Sequence, residues 1–243
     1  MAFYSFAILL FYSTIRTLPN RYCILGLGSS LSDTGGNTLS SVITKFFDYG
    51  QEDIDYLRSV DPVLGAAMAR MGRVERVIIP DLFTALIYAI VGQLISVKAV
   101  RTIWNRMLAQ FGDITPQQLA LHTADEIQSC GMTMKKALCI HEISNLAAQG
   151  DFNLEELPGL SDQEVIQKLM TLKGIGKWTA EMMLIHSMER RDVVSWGDIA
   201  IRRGMMKLYG LDKLTKDQFE QYRLNYSPSG SVASIYLWEI SFE

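Results

Sequence analysis

The sequence predicts an all-α body folded as two lobes, and three observations carry that prediction. From Asp53 onward, apolar residues recur at helical spacing nearly everywhere. Alternating strand patterns are almost absent; the exception is Val74 to Ile79, rich in Val and Ile, which suits an extended segment. Asp81 and Ser96 each stand just before a long apolar face, where a short polar side chain caps a helix start.

In chain order, Asp81 opens a helix that buries Leu82, Phe83, Leu86, Ile87, Ile90 and Val91. Ser96 opens the next, with Val97, Val100, Ile103, Trp104, Met107, Leu108 and Phe111 on its inner side. Helices are expected over 116–121, 124–130 and 134–149, and 162–172 leads into a glycine turn. Helices over 179–188, 198–209, 216–222 and 230–242 complete the body, and no internal repeat is visible.

The first 42 residues read differently. Ala2 to Tyr12 is an apolar run too short to span a bilayer. It has the length of a signal-peptide core, but no Lys or Arg precedes it. Gly26 to Ser41 is Gly- and Ser-rich, as a linker is. The favoured reading is an N-terminal extension over 1–42, disordered or from a misassigned start, with the folded domain over 43–243. A signal peptide and a structural extension stand as alternatives.

Composition narrows the chemistry. At 49% hydrophobic and 20% charged, 243 residues hold ample material for a core. The net charge of −3 is unlike most nucleic-acid binders. Local sign matters more: Lys168 to Lys207 contains Lys168, Lys173, Lys177, Arg190, Arg191, Arg202, Arg203 and Lys207 against Glu181, Glu189, Asp192 and Asp198. Cys23, Cys130 and Cys139 form no CxxC pair, and His122, His141 and His186 lack ligand spacing. A disulfide scaffold, a zinc site and an all-cysteine iron–sulfur cluster are therefore not expected. Three free thiols suit a reducing cytosol, so a cytoplasmic location is expected.

One stretch concentrates the chemistry. Leu172-Lys173-Gly174-Ile175-Gly176-Lys177-Trp178-Thr179-Ala180 places a glycine turn between two helices. Glycines permit positive φ and close backbone approach. The second helix begins just after the turn, so its N-terminal amides and positive dipole end suit a phosphate, with Lys173 and Lys177 adding charge. Ile175 is expected to plug back between the helices. Glycine turns also join many helical pairs with no ligand. Trp196-Gly197-Asp198 follows about one helix later, and Asp198 stands where an N-cap stands. Arg202 and Arg203 suit a solvated face, an ion pair with an acid such as Glu239, or a phosphate contact. Glu52, Asp53 and Asp55 read as a solvated surface.

The hairpin followed by Gly-Asp resembles the helix–hairpin–helix and Gly/Pro-Asp signature of the base-excision DNA glycosylases. It is most similar to the alkylated-base branch, DNA-3-methyladenine glycosylase II. The resemblance runs from about Lys45 to Glu243. It includes Ile90-Val91-Gly92-Gln93-Leu94-Ile95-Ser96-Val97, Cys130-Gly131-Met132 with Lys135-Lys136-Ala137, and Tyr226-Ser227-Pro228 on to Tyr236-Leu237-Trp238.

The resemblance implies an active-site cleft between two lobes and a monofunctional enzyme. It would hydrolyse the N-glycosidic bond of alkylated bases in duplex DNA by base flipping. The chief base would be 3-methyladenine, with 7-methylguanine a further candidate. It makes Asp198 the catalytic carboxylate, stabilising an oxocarbenium-like state. It puts Trp178 and Trp238 in the base pocket, where Met182 replaces a frequent aromatic. Leu94 becomes the wedge that fills the gap left by the flipped base, with Gln93 beside it. Lys173, Gly174, Ile175, Gly176 and Lys177 become the DNA-backbone contact.

Members that also cut the strand carry a lysine where Trp178 stands, so no Schiff base is expected. The resemblance also implies the shorter form without an extra N-terminal α/β domain, no organic cofactor, a monovalent cation on hairpin carbonyls, and a monomer with no membrane partner. A DNA-binding module without catalysis, and a glycosylase for oxidised or deaminated bases, are the alternatives.

Overall fold

A computed structural model describes residues 42–243 and, before them, only the strand backbones Arg16–Thr17 and Tyr22–Leu25. The expectations for the N-terminal extension otherwise lie outside the described residues. The chain divides into two compact units, one of residues 1–46 with 77–187 and one of residues 47–76 with 188–243.

The first unit is helical apart from a small sheet. Strands β1 (Arg16–Thr17), β2 (Tyr22–Leu25), β3 (Val42–Phe46) and β4 (Val77–Ile78) pair antiparallel in that order. β4 lies in the stretch that the sequence marks as extended. β3 is unforeseen, because its pairing is non-local: Lys45 stands opposite Ile78, and Phe46 opposite Val77.

The helices of this unit start where their caps are. Asp81 accepts from the Thr84 amide (2.7 Å) and opens α3 (Leu82–Gly92). Ser96 accepts from the Ala99 amide and opens α4 (Val97–Phe111). Thr115, Thr123 and Thr133 cap α5 (Pro116–Ala120), α6 (Ala124–Ser129) and α7 (Met134–Gln149). Ser161 and Glu164 form a capping box at α8 (Asp162–Met170), and α9 spans Lys177–His186. α3 is apolar on nearly all sides because it lies against α4, α7 and α9.

The second unit is helical throughout: α1 (Gln51–Val60), α2 (Pro62–Met71), α10 (Ile199–Tyr209), α11 (Lys216–Tyr226) and α12 (Gly230–Ile240). α12 is its core rod, with Val232, Ile235, Tyr236, Leu237 and Trp238 all buried. α10 lies against it so closely that a Cβ on Gly204 would sit 2.0 Å from the Leu237 carbonyl oxygen. Asp53 departs from the solvated-surface reading. It is 3% exposed and accepts from the Gly50 amide, Ser229 and Arg191, the last at 2.6 Å. Burial opposes its charge, but these donors outweigh burial and hold its carboxyl below the usual range. Glu52 and Asp55 are exposed as expected.

Candidate active site and nucleic-acid interface

The hairpin is built as its glycines suggest, with one difference. Gly174 has φ +86°, a conformation that favours glycine, and a Cβ there would lie 2.9 Å from the Cys139 sulfur. Gly176 needs neither allowance: its φ is −97° and a Cβ would meet nothing within 4 Å. Gly176 is instead the N-cap of α9, which starts at Lys177 rather than Thr179, and it supplies no side-chain oxygen to the first-turn amides. Ile175 is buried, as the plug reading requires, while Lys173, Gly174, Gly176 and Lys177 are exposed. Lys177 pairs with Glu181 at 3.5 Å on the same helix. Trp178 is half-buried at the second position of α9, and Met182, one turn on, is buried.

The Gln93–Leu94 turn follows the end of α3. Leu94 is 77% exposed and has φ +58°, an uncommon conformation for a residue with a branched side chain. Gln93 does not extend into solvent. Its side-chain amide donates to the Gly174 carbonyl (3.3 Å) and to Thr179 Oγ1 (3.2 Å), tying the turn to the hairpin.

Two further residues join this arrangement. The Lys136 ammonium donates to the carbonyls of Val91 (2.8 Å) and Gln93 (2.6 Å). Its burial pushes it below the usual lysine value. The Cys139 thiol donates to the Lys173 carbonyl (2.9 Å), and burial pushes its pKa up to about 11, which keeps the proton on sulfur. Neither role was legible beforehand, since a lysine or cysteine on a helix shows nothing of a distant partner. Among the described residues, no cluster of His, Cys, Asp or Glu forms a metal site.

In the second unit, Asp198 is the N-cap of α10 and is 3% exposed. Its Oδ1 accepts from the amides of Ala200 (2.8 Å) and Ile201 (3.0 Å) and from Trp238 Nε1 (3.3 Å). The N-cap position and these three donors fix the orientation of the carboxylate. Trp238 is fully buried, so it presents no open face for a base to stack on. Its indole N–H fixes the carboxylate instead. The Arg76 guanidinium lies 4.9 Å from the Trp238 ring centre and donates to Glu239 (3.2 Å). Glu239 is thus the partner of Arg76, not of Arg202. Arg202 instead stacks over Trp196 at 4.8 Å.

This combination defines a class: a helix–hairpin–helix protein with a Gly-Asp helix start. Residues 87–228 match the HhH-GPD superfamily base excision DNA repair protein family, and the chain belongs to that family. It is 32% identical over 164 residues to DNA-3-methyladenine glycosylase 1 of Schizosaccharomyces pombe, covering 65% of this chain and 72% of that protein. Across the curated relatives it matches, the chain spans from 46% to 96% of their length. Among solved structures it resembles a DNA-3-methyladenine glycosidase from Bacillus halodurans (TM-score 0.69, 29% identity, 82% of this chain and 92% of that one). A 3-methyladenine DNA glycosylase of Schizosaccharomyces pombe bound to abasic DNA is similar at TM-score 0.69 and 28% identity, over 77% and 95% of the two chains.

Proposed function

We propose that this chain is a monofunctional DNA glycosylase acting on alkylated bases in duplex DNA, chiefly 3-methyladenine, with 7-methylguanine as a second substrate. The carrying observation is Asp198, a buried carboxylate with one oxygen fixed by two backbone amides and an indole N–H. Cleavage of an N-glycosidic bond builds positive charge on the sugar. A preorganised carboxylate stabilises that charge without reorganising during the reaction. An alkylated purine is already cationic and leaves without a strong acid, and water then captures the sugar.

The other parts follow from the same reading. The uncapped start of α9, with Lys173 and Lys177 exposed beside it, suits the DNA backbone. Leu94 is the wedge, and Trp178 supplies an aromatic face for a flipped cationic base. Trp178 carries no amine, so no Schiff base forms at that position, and the product is an abasic site on an intact strand.

The turn carbonyls of Lys173 and Gly174 already accept from Cys139 and Gln93. A second lone pair on each still suits a monovalent cation. No organic cofactor enters the reading, in which the protein works as a monomer in the compartment that holds the DNA.

The test is base release from methylated duplex DNA by the wild type and by Asp198→Asn. The wild type is expected to release the base and leave the strand intact until alkali is added. The variant is expected to be slower by about a hundredfold, the scale of losing one electrostatic catalytic group. An unchanged rate in the variant would overturn the role of Asp198, and strand cleavage without alkali would overturn the monofunctional reading.

A further inference from the structure

Two lysines stand side by side at the start of α7, and the structure treats them differently. Lys135 is exposed, whereas Lys136 is half-buried. Lys136 is the third residue of α7, following the Thr133 cap, so its charge sits at the unfavourable positive end of its own helix. Its ammonium is instead used at the other end of α3. There it bonds the carbonyls of Val91 and Gln93, which belong to the last turn and the cap, where a helix leaves carbonyls without an internal donor. A cation at that end is favoured by the dipole of α3.

The next residue is Leu94, left-handed at φ +58° and 77% exposed. A branched apolar side chain gains nothing by either feature. Such a conformation persists only where its surroundings hold it. Two supports hold it here: the Gln93 side chain, bonded to the hairpin, and Lys136, bonded to the main chain on both sides of Gly92.

We propose that Lys136 is a positioning residue for the Leu94 wedge: its ammonium locks the end of α3 in the geometry that keeps Leu94 projecting. This inference rests on the wedge reading of Leu94 above. Lys136 touches neither base nor sugar in this role. It matters only where a gap in a duplex must be filled, not for cleavage of the bond itself.

A double-mutant cycle separates the two claims. Leu94→Ala, Lys136→Met and the double variant are compared by single-turnover base release from a methylated duplex and from the same strand unpaired. Lys135→Met controls for the loss of one positive charge, and thermal unfolding confirms that each variant is folded. Lys136→Met is expected to slow the duplex reaction by up to about a hundredfold, the scale of a small misplacement, and to spare the single strand. The double variant is expected to be no slower than Leu94→Ala. Lys136→Arg, which keeps charge and donors, is expected to recover most of the duplex rate, and Lys135→Met to leave the duplex-to-single-strand ratio unchanged.

If Leu94→Ala leaves the duplex rate unchanged, the wedge reading fails. If Leu94→Ala slows the duplex but Lys136→Met does not, or the two losses multiply, the Lys136 inference is overturned and the wedge stands. Should Lys136→Met not fold, Lys136→Gln takes its place in the cycle under the same criteria.

Discussion

The starts of α9 and α10 are both helix N-termini, and they are finished in opposite ways. α9 begins at Gly176, which offers its first-turn amides no side-chain oxygen and stands in the open with Lys177. α10 begins at Asp198, whose Oδ1 accepts from two of those amides and from Trp238, at 3% exposure. The same positive helix end thus serves two purposes. In the proposed function, one is left for an anion from outside, such as a phosphate. The other holds the protein's own anion, in the fixed geometry that charge stabilisation needs.

Four substitutions break or sharpen this contrast. Asp198→Asn has the largest expected effect on activity, about a hundredfold. The asparagine carbonyl still accepts from Ala200 and Ile201. Stability by denaturant unfolding is therefore expected to change by only about 1 kcal/mol; a much larger loss would mean that the carboxylate is chiefly structural.

Gly204→Ala acts on the frame around Asp198. Its Cβ would meet the Leu237 carbonyl at 2.0 Å, forcing α10 from α12 and Asp198 from Trp238. Denaturant unfolding is expected to show a loss of about 3 kcal/mol, the upper range for overpacking.

Gly176→Asp gives α9 the finish that α10 has. The position has room and an ordinary φ, so capping is expected to raise stability by a few tenths of a kcal/mol, about the Gly-to-Asp difference at an N-cap. DNA affinity is expected to fall by about tenfold, or 1.4 kcal/mol, as the new carboxylate occupies the phosphate position. Unchanged affinity in a binding titration would remove this helix start from the interface.

Lys177→Ala is the smallest change. Its pair with Glu181 lies at the surface on the lysine side, so the stability change is expected to stay below about 1 kcal/mol. The slope of log affinity against log salt is expected to shrink by about 1, one phosphate contact.

Much of this was legible in the sequence because it is local. Helices repeat every few residues and their caps sit next to them, so Asp81, Ser96 and the 134–149 helix were found where the structure has them. The glycine turn and the Gly-Asp were legible for the same reason. What failed was long-range. Asp53 reads as one of three surface acids until Arg191, 138 residues away, is seen beside it. Glu239 was offered to Arg202 but pairs with Arg76, 163 residues away in sequence. Trp238 suits a stacking surface by residue type, yet it is fully buried in α12, with Arg76 over its ring and its N–H on Asp198.

The sequence by itself determined the helices, the family and the residue types of the site, since these depend on spacing within a few turns. Only the tertiary structure decided which carboxylates are buried, that Trp238 is fully enclosed while Trp178 is half-buried, and that Lys136 rather than Lys135 bonds the carbonyls of Val91 and Gln93. Burial and pairing are properties of residues brought together from distant parts of the chain. They appear only once packing has chosen the neighbours.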